Sequence, residues 1–298
     1  MKKTIPFRGT GTALVTPFTK NDTIDEAALR RLVDYQIAGG VEALLPAGTT
    51  GESVTFSDDE LSRVVEIVVS QAKGRVKVFA GAGSNSTKKS IALSKRALEA
   101  GADGVLIVGP YYNKPTPEGY FQHYAAIADA IDAPIIEYNV PGRTASNIDA
   151  ATTLRIAEEI PQVVGVKEAS GNFIQVMEIL RNRPVHFGVW SGDDAVTLPM
   201  VACGADGVVS VVGNQIPKMF SDMVRLCLKG KFSEAVKLHN KMLPLMNINF
   251  IESNPIPVKA AMAMMGMMEE RYRLPLVPLS KKHKPALKKV LEELGLLE

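Results

Sequence analysis

The sequence predicts a (β/α)8 barrel followed by a C-terminal helical extension. Three observations predict it. Short apolar runs recur along the 298-residue chain, starting roughly 20 to 35 residues apart. Between them lie segments whose apolar residues fall three and four positions apart, the helical period. The return from helix to strand also repeats in closely similar form. Strands alternating with helices in this way build a parallel sheet with helices packed outside it.

The eight runs span 11–15, 41–46, 76–80, 104–108, 134–138, 163–167, 186–190 and 207–211. Each is short and continuously apolar, as expected of strands buried on both faces. Leu61, Val64, Val65, Val68 and Val69 mark the apolar stripe of one intervening helix. Helix starts are signalled by Thr23-x-x-Glu26 and Ser57-x-x-Glu60, which fit the capping box, and by Thr116-Pro117, a cap followed by proline in the first turn. Three returns resemble one another: Ala38-Gly39-Gly40-Val41, Ala100-Gly101-Ala102-Asp103-Gly104-Val105 and Cys203-Gly204-Ala205-Asp206-Gly207-Val208. In each, glycine stops a helix and a buried strand begins. After about residue 230 the strand signal ends, and helical patterns occupy 231–249, 255–270 and 282–296. The chain is therefore expected to divide into a catalytic barrel, 1–230, and a helical extension, 231–298. Met262, Met264, Met265, Met267 and Met268 supply adaptable packing material in that extension or at a subunit contact. A doubly wound sheet is the rival, but its phosphate loop is missing. Gly81-Ala82-Gly83-Ser84-Asn85-Ser86 lacks the third glycine of a dinucleotide loop, and Gly48-Thr49-Thr50-Gly51-Glu52 lacks the lysine of a P-loop.

Composition narrows the class. Hydrophobic residues make up 46% and charged residues 22%, as in a globular protein able to bury a sizeable core. With a formal net charge of +2, and Lys281-Lys282-His283-Lys284 as the densest basic patch, no nucleic-acid partner is expected. The absence of a leader-like apolar segment after Met1, and of any run of 18 apolar residues, points to a cytoplasmic protein with no membrane partner. Cys203 and Cys227 form no CxxC pair and are expected as core fillers in a reducing compartment. His123, His186, His239 and His283 are scattered without ligand spacing, so no metal site is expected.

The chemistry collects at the predicted strand ends, which in a barrel converge on one mouth. Val163-Val164-Gly165-Val166-Lys167 leads a buried strand straight into a lysine. Burial disfavours the ammonium form, and a neutral amine is a nucleophile towards carbonyl carbon. The plainer alternative is a lysine that reaches from the strand end to water. Tyr138 ends the fifth run, where a phenol can relay protons or simply bond to backbone. Thr49 and Thr50 stand between glycines, where backbone N–H groups approach an anion, or form an ordinary turn. Arg143 follows Pro141-Gly142 and can grip a carboxylate, unless it is a surface arginine. Asp193-Asp194 is expected to cap the following helix, and Glu168 to point away from Lys167.

With those residues in hand, the chain resembles the dihydrodipicolinate synthase family of the pyruvate-dependent class I aldolase superfamily. The resemblance covers essentially the whole chain. It rests on Gly48-Thr49-Thr50-Gly51-Glu52-Ser53, Pro110-Tyr111-Tyr112-Asn113-Lys114-Pro115, Tyr138-Asn139-Val140-Pro141-Gly142-Arg143-Thr144 and Val166-Lys167-Glu168, matched in order and spacing. It implies that Lys167 forms an imine with pyruvate, that Tyr138 shuttles protons, and that Thr49 links Tyr138 to Tyr112, the latter supplied across a subunit interface. It further implies that Thr50 holds the pyruvate carboxylate, that Arg143 binds L-aspartate 4-semialdehyde, and that Gly192 and Val209 line the pyruvate end through backbone groups. Many relatives carry isoleucine at the position of Val209. No metal or organic cofactor is implied. A homotetramer built as a dimer of dimers is, and so is a place in diaminopimelate and lysine biosynthesis. Relatives in the superfamily cleave sialic acids or keto-deoxy sugar acids, so N-acetylneuraminate lyase is the alternative. Arg143 and the pair Thr49-Thr50 favour the synthase. A barrel that only binds a keto acid is the reading from outside enzymology. The resemblance also implies an L-lysine inhibition site drawing on Ser53, Val54, Asn85 and Tyr111. The inhibited branch places histidines at the positions of Asp58 and Leu61 and a glutamate at the position of Lys89, so weak or no inhibition is expected here.

Overall fold

Eight parallel strands close into a barrel in chain order, as the computed structural model, which describes residues 4–297, lays out. They are β1 (Gly9–Ala13), β2 (Ala43–Leu45), β3 (Lys77–Gly81), β4 (Gly104–Val108), β5 (Ile135–Asn139), β6 (Val163–Glu168), β7 (Gly188–Ser191) and β8 (Gly207–Ser210). Pairing of Gly9 with Gly207 through Thr12 with Ser210 joins β1 to β8 and shuts the barrel. All eight apolar runs of the sequence are strands, offset by at most two residues at either end.

The two-residue period of each strand sorts its side chains. On β5, Ile136 and Tyr138 enter the barrel, where they pack with Leu45, Phe79, Leu106, Trp190 and Val209. Phe7, just before β1, stacks on Trp190 with ring centroids 4.7 Å apart, filling the end of the barrel remote from the mouth. Ile135 and Val166 face outward into the larger core shared with the helices, alongside Ile127, Ile156 and Phe220.

Local signals set most helix ends. Ser57 and Glu60 form the complete capping box of helix Asp58–Ala72, and Thr116 caps Pro117–Ala130 by accepting from the Gly119 amide at 3.2 Å. At the helix-to-strand returns, Gly101 and Gly204 take φ of +95° and +107°, a region that costs other residues dearly. The Thr23–Glu26 pair does not cap. Asp25 is the cap of Glu26–Ala38, its carboxylate accepting from the Ala28 amide at 2.9 Å. Thr23 is held instead in a turn by the Phe18–Ile24 bridge, its hydroxyl bonded to that of Thr19. Glu26 turns outward to Arg63.

Helices Phe232–Ile248, Ile256–Met264 and Lys284–Glu293 follow the barrel. The second ends six residues earlier than its pattern suggests, because Gly266 takes φ of +71° and turns the chain. Met262 is buried, and Met264, Met265, Met267 and Met268 are half-buried. Cys227 is buried as expected, but Cys203 is exposed, because it lies past the end of helix Thr197–Ala202 and points away from the core. Among the described residues no helix is long and apolar enough to cross a membrane.

Candidate active site

A cavity of about 410 Å³ opens at the C-terminal ends of the strands, the face on which barrel enzymes place their chemistry. Thr49, Thr50, Tyr138, Arg143, Lys167 and Gly192 all line it, drawn from the ends of β2, β5, β6 and β7. These residues span nearly half the sequence, and barrel closure alone brings them together.

Lys167 and Tyr138 are register partners on adjacent strands. The Lys167 Nζ sits 4.1 Å from the centroid of the Tyr138 ring. Both side chains are buried, at 6% and 7% exposure, yet both reach the cavity. Burial depresses the lysine pKa to about 7; the nearby Asp194 carboxylate pulls it back up, and the Arg143 guanidinium lowers it further. A substantial fraction of Lys167 is therefore a free amine at neutral pH. Burial also pushes the Tyr138 phenol up to about 12, against the pull of Arg143, so it keeps its proton and can donate it to a reacting oxygen or nitrogen.

The residues behind this pair hold it still. Glu168 points away from Lys167, out of the barrel, as the strand period requires. Its carboxylate accepts from Asn139 Nδ2 at 3.0 Å, Gln175 Nε2 at 3.0 Å and the Ser170 amide at 2.6 Å. The main-chain carbonyl of Glu168 accepts from the Gly192 amide at 2.7 Å. A Cβ on Gly192 would lie 2.5 Å from that of Ala169, so only glycine brings the backbone this close to the lysine. Glu137, on the outer face of β5, is fully buried; desolvation raises its pKa to about 8 while Thr153 donates to it at 2.8 Å.

Asp193 and Asp194 do not cap a helix. Five residues separate β7 from helix Thr197–Ala202, whose cap position is Val196. Asp193 closes a local turn onto the Ala195 amide, and Asp194 accepts from the amides of Val211 and Val212 at 3.0 and 2.7 Å, tying β7 to the loop after β8. Burial lifts the Asp194 pKa to about 6 despite those donors.

The loop after β2 is a tight turn, with the amides of Gly51 and Glu52 donating to the carbonyls of Gly48 and Thr49 at 3.1 Å. Thr50 is buried and accepts from Asn254 Nδ2 at 3.0 Å, whereas Thr49 is exposed at the cavity rim. Arg143 lies on the four-residue helix Pro141–Thr144, and its Nη2 donates to the Asn254 carbonyl at 3.2 Å.

Two further residues, Tyr112, expected to serve a neighbouring subunit, and Val209, expected to act through its backbone, are not among those lining this chain's own cavity. Tyr112 is 89% exposed, with φ of +71°, and turns away from its own chain's cavity, whereas Tyr111 lines it. Val209 is fully buried in the barrel interior below the cavity, where the strand period turns its side chain into the core; Val211, two residues on, takes the place in the wall. Sequence reasoning missed Asn254 and Phe250, which enter the wall from the helical extension. Nothing local marks them, since Asn254 meets Thr50 across 204 residues of chain. Beside the main cavity, a crevice of about 80 Å³ is lined by Ser53, Val54, Asp58, Leu61, Lys89 and Tyr111, among others. Asn85 lies off it, bonded through its carbonyl to Asn113.

A buried lysine of lowered pKa against a tyrosine, at the mouth of a (β/α)8 barrel, is the site of a Schiff-base-forming aldolase. The chain belongs to the dihydrodipicolinate synthetase family, whose model matches residues 6–294. It is 52% identical over 290 residues to the 4-hydroxy-tetrahydrodipicolinate synthase of Chloroherpeton thalassium, covering 97% of this chain and 96% of that one. The dihydrodipicolinate synthase of Thermotoga maritima superposes with a TM-score of 0.96 at 46% identity, covering 98% of this chain and 100% of that one. A chloride-inhibited dihydrodipicolinate synthase from Acinetobacter baumannii, solved in complex with pyruvate, gives 0.95 at 40% identity, covering 98% and 100%.

Proposed function

We propose that this protein is a lyase that condenses pyruvate with L-aspartate 4-semialdehyde, the 4-hydroxy-tetrahydrodipicolinate synthase reaction of diaminopimelate and lysine biosynthesis. The observation that carries the reading is the Lys167–Tyr138 pair, buried yet open to the cavity, in a chain about half identical over its full length to synthases of that name.

The neutral amine of Lys167 attacks the pyruvate keto carbon. Tyr138 supplies the proton with which the hydroxyl leaves as water, giving an iminium. The iminium draws electrons from the methyl group, which loses a proton to form an enamine. The enamine carbon attacks the semialdehyde's aldehyde, and the new alkoxide takes a proton through Tyr138. The amine of the second substrate then adds to the iminium carbon, closes the ring and expels Lys167. Thr50 holds the pyruvate carboxylate, Arg143 that of the semialdehyde, and Gly192 presents backbone to the pyruvate end. Val209 supports that end from the barrel interior. Thr49 links Tyr138 to a Tyr112 contributed by a neighbouring subunit, a reading supported by the outward turn of Tyr112. The assembly is then at least a dimer, and in the family's manner a tetramer made of two dimers. We place the enzyme in the cytoplasm and divide the chain into a barrel of 1–230 and an extension of 231–298.

A coupled assay comparing pyruvate plus aspartate semialdehyde with N-acetylneuraminate cleavage tests the reading. Turnover of the first pair alone is expected; cleavage of the sialic acid instead would transfer the site to the lyases.

A further inference from the structure

We propose that Asn254, from the helical extension, is a positioning residue that sets the direction of the Thr50 hydroxyl and the place of the Arg143 guanidinium, and so couples the two carboxylate-binding halves of the cavity. The inference rests on the function proposed above and extends it to a residue outside the barrel.

Asn254 is 5% exposed and lines the cavity. Its Nδ2 donates to Thr50 Oγ1, and its main-chain carbonyl accepts from Arg143 Nη2, so one residue touches the loops after β2 and β5. A hydroxyl has one proton. Once Thr50 Oγ1 accepts from Asn254, that proton is free to point elsewhere, and a substrate carboxylate, which only accepts, is the complementary partner. Without Asn254 the hydroxyl rotates freely and the donor is no longer preset.

The extension is pinned where this requires. Glu52, two residues after Thr50, forms a fully buried ion pair with Lys259, five residues after Asn254. The second Glu52 oxygen accepts from the Arg273 amide at 3.1 Å. The Lys259 Nζ also lies 4.4 Å from the centroid of the Phe18 ring. A buried pair of this kind contributes little net stability but fixes registry strongly, because breaking it strands a charge. Here it locks the loop that carries Thr50 to the segment that carries Asn254. The Asn254 Oδ1 is buried with no partner. An unsatisfied carbonyl is retained at a cost, which suits a residue kept for the direction of its amide rather than for packing.

The test measures pyruvate KM, semialdehyde KM and kcat for the full-length enzyme and for Asn254→Ala, Asn254→Asp, Thr50→Val and the double variant Thr50→Val/Asn254→Ala. Pyruvate KM should rise about tenfold in Asn254→Ala, the loss of an oriented hydrogen bond to a charged group, with kcat changing less. The semialdehyde KM should change less, since the main-chain carbonyl that holds Arg143 remains. Asn254→Asp is isosteric, but when ionised it only accepts, so it turns the Thr50 proton away from substrate. Its pyruvate KM should exceed that of Asn254→Ala. The double variant should be no worse for pyruvate than Thr50→Val alone, since Asn254 acts there through Thr50. An unchanged pyruvate KM, an Asn254→Asp enzyme that equals wild type, or fully additive losses would overturn the proposal. If Asn254→Ala does not fold, the isosteric variant decides alone. Borohydride trapping of pyruvate on the wild-type chain separates the two levels: no adduct there refutes the function, whereas a normal adduct with unaffected variants refutes only the role of Asn254.

Discussion

Lys167 and Tyr138 face each other across the β5–β6 seam, register partners with the amine 4.1 Å from the ring centroid. The sequence separates them by 29 positions, and parallel pairing makes them neighbours. One neighbour is buried enough to lose its charge near neutrality and the other enough to keep its proton. Those opposed shifts separate nucleophile from acid within one pocket.

The first consequence is a pH dependence. The rate of imine formation with pyruvate should rise with pH through about 7, as Lys167 loses its proton, and then level off. The same shift acts on stability. The folded pKa lies below the unfolded value of 10.5, so between about 7 and 10.5 the unfolded chain holds a proton that the folded one lacks. Stability contributed at this site therefore rises with pH across that window, and the cost is full below it. Lys167→Met should stabilise the fold at pH 7 by on the order of 4 kcal/mol, a gain that fades towards pH 10.5. Urea titrations of the two proteins at several pH values measure it; a gain that does not depend on pH would mean that Lys167 is solvated in the fold.

Among the described residues the Arg143 side chain makes one hydrogen bond, to the Asn254 carbonyl, and it is exposed at the mouth. It is available to a second carboxylate. Arg143→Ala should lower kcat/KM for the semialdehyde by roughly 30-fold or more, the loss of a charge-assisted contact of about 2 kcal/mol or above. Pyruvate imine formation should change far less. Equal loss in both half-reactions would make Arg143 a structural residue.

Tyr112 turns away from its own cavity, which suits the role proposed for it in a neighbouring subunit's mouth. Mixing Tyr112→Phe with Lys167→Ala under subunit exchange should restore part of the activity, since a hybrid pair assembles one mouth with an intact lysine and a neighbour's tyrosine. Mixed dimers confirmed by native mass spectrometry but without recovery would place Tyr112 outside the relay.

L-lysine should inhibit weakly or not at all. The crevice beside the cavity presents Lys89, and the one carboxylate at its wall, Asp58, already sits 3.6 Å from Arg96 at a capped helix start. An incoming ammonium meets repulsion there. A titration giving sub-millimolar inhibition would contradict this.

The barrel was legible because its signals are local: β-branched runs, capping pairs, and glycine where the chain turns back. Ser57–Glu60 and Gly101 did what their neighbours in sequence suggest. Thr23 misled, since Asp25 stood nearer the first turn and a short bridge had already committed Thr23 elsewhere. Lys167, Tyr138, Arg143 and the Thr49–Thr50 turn were legible as strand-end residues and through the resemblance. Asn254, Asp194 and the Glu52–Lys259 pair were not, because each is defined by a contact across the fold and none has a distinctive flank. Val209 illustrates the same limit: it and Val211 share one face of the chain, and depth along the barrel axis, which the sequence does not state, decides which of the two side chains meets the cavity.

The central claim is that Lys167 carries the reaction as an imine. Borohydride reduction in the presence of pyruvate, followed by peptide mass spectrometry, tests it most directly. The account predicts one pyruvyl adduct per chain, on Lys167, and none on a folded Lys167→Ala protein. An adduct on any other lysine, or persistence of the adduct in Lys167→Ala, would contradict it.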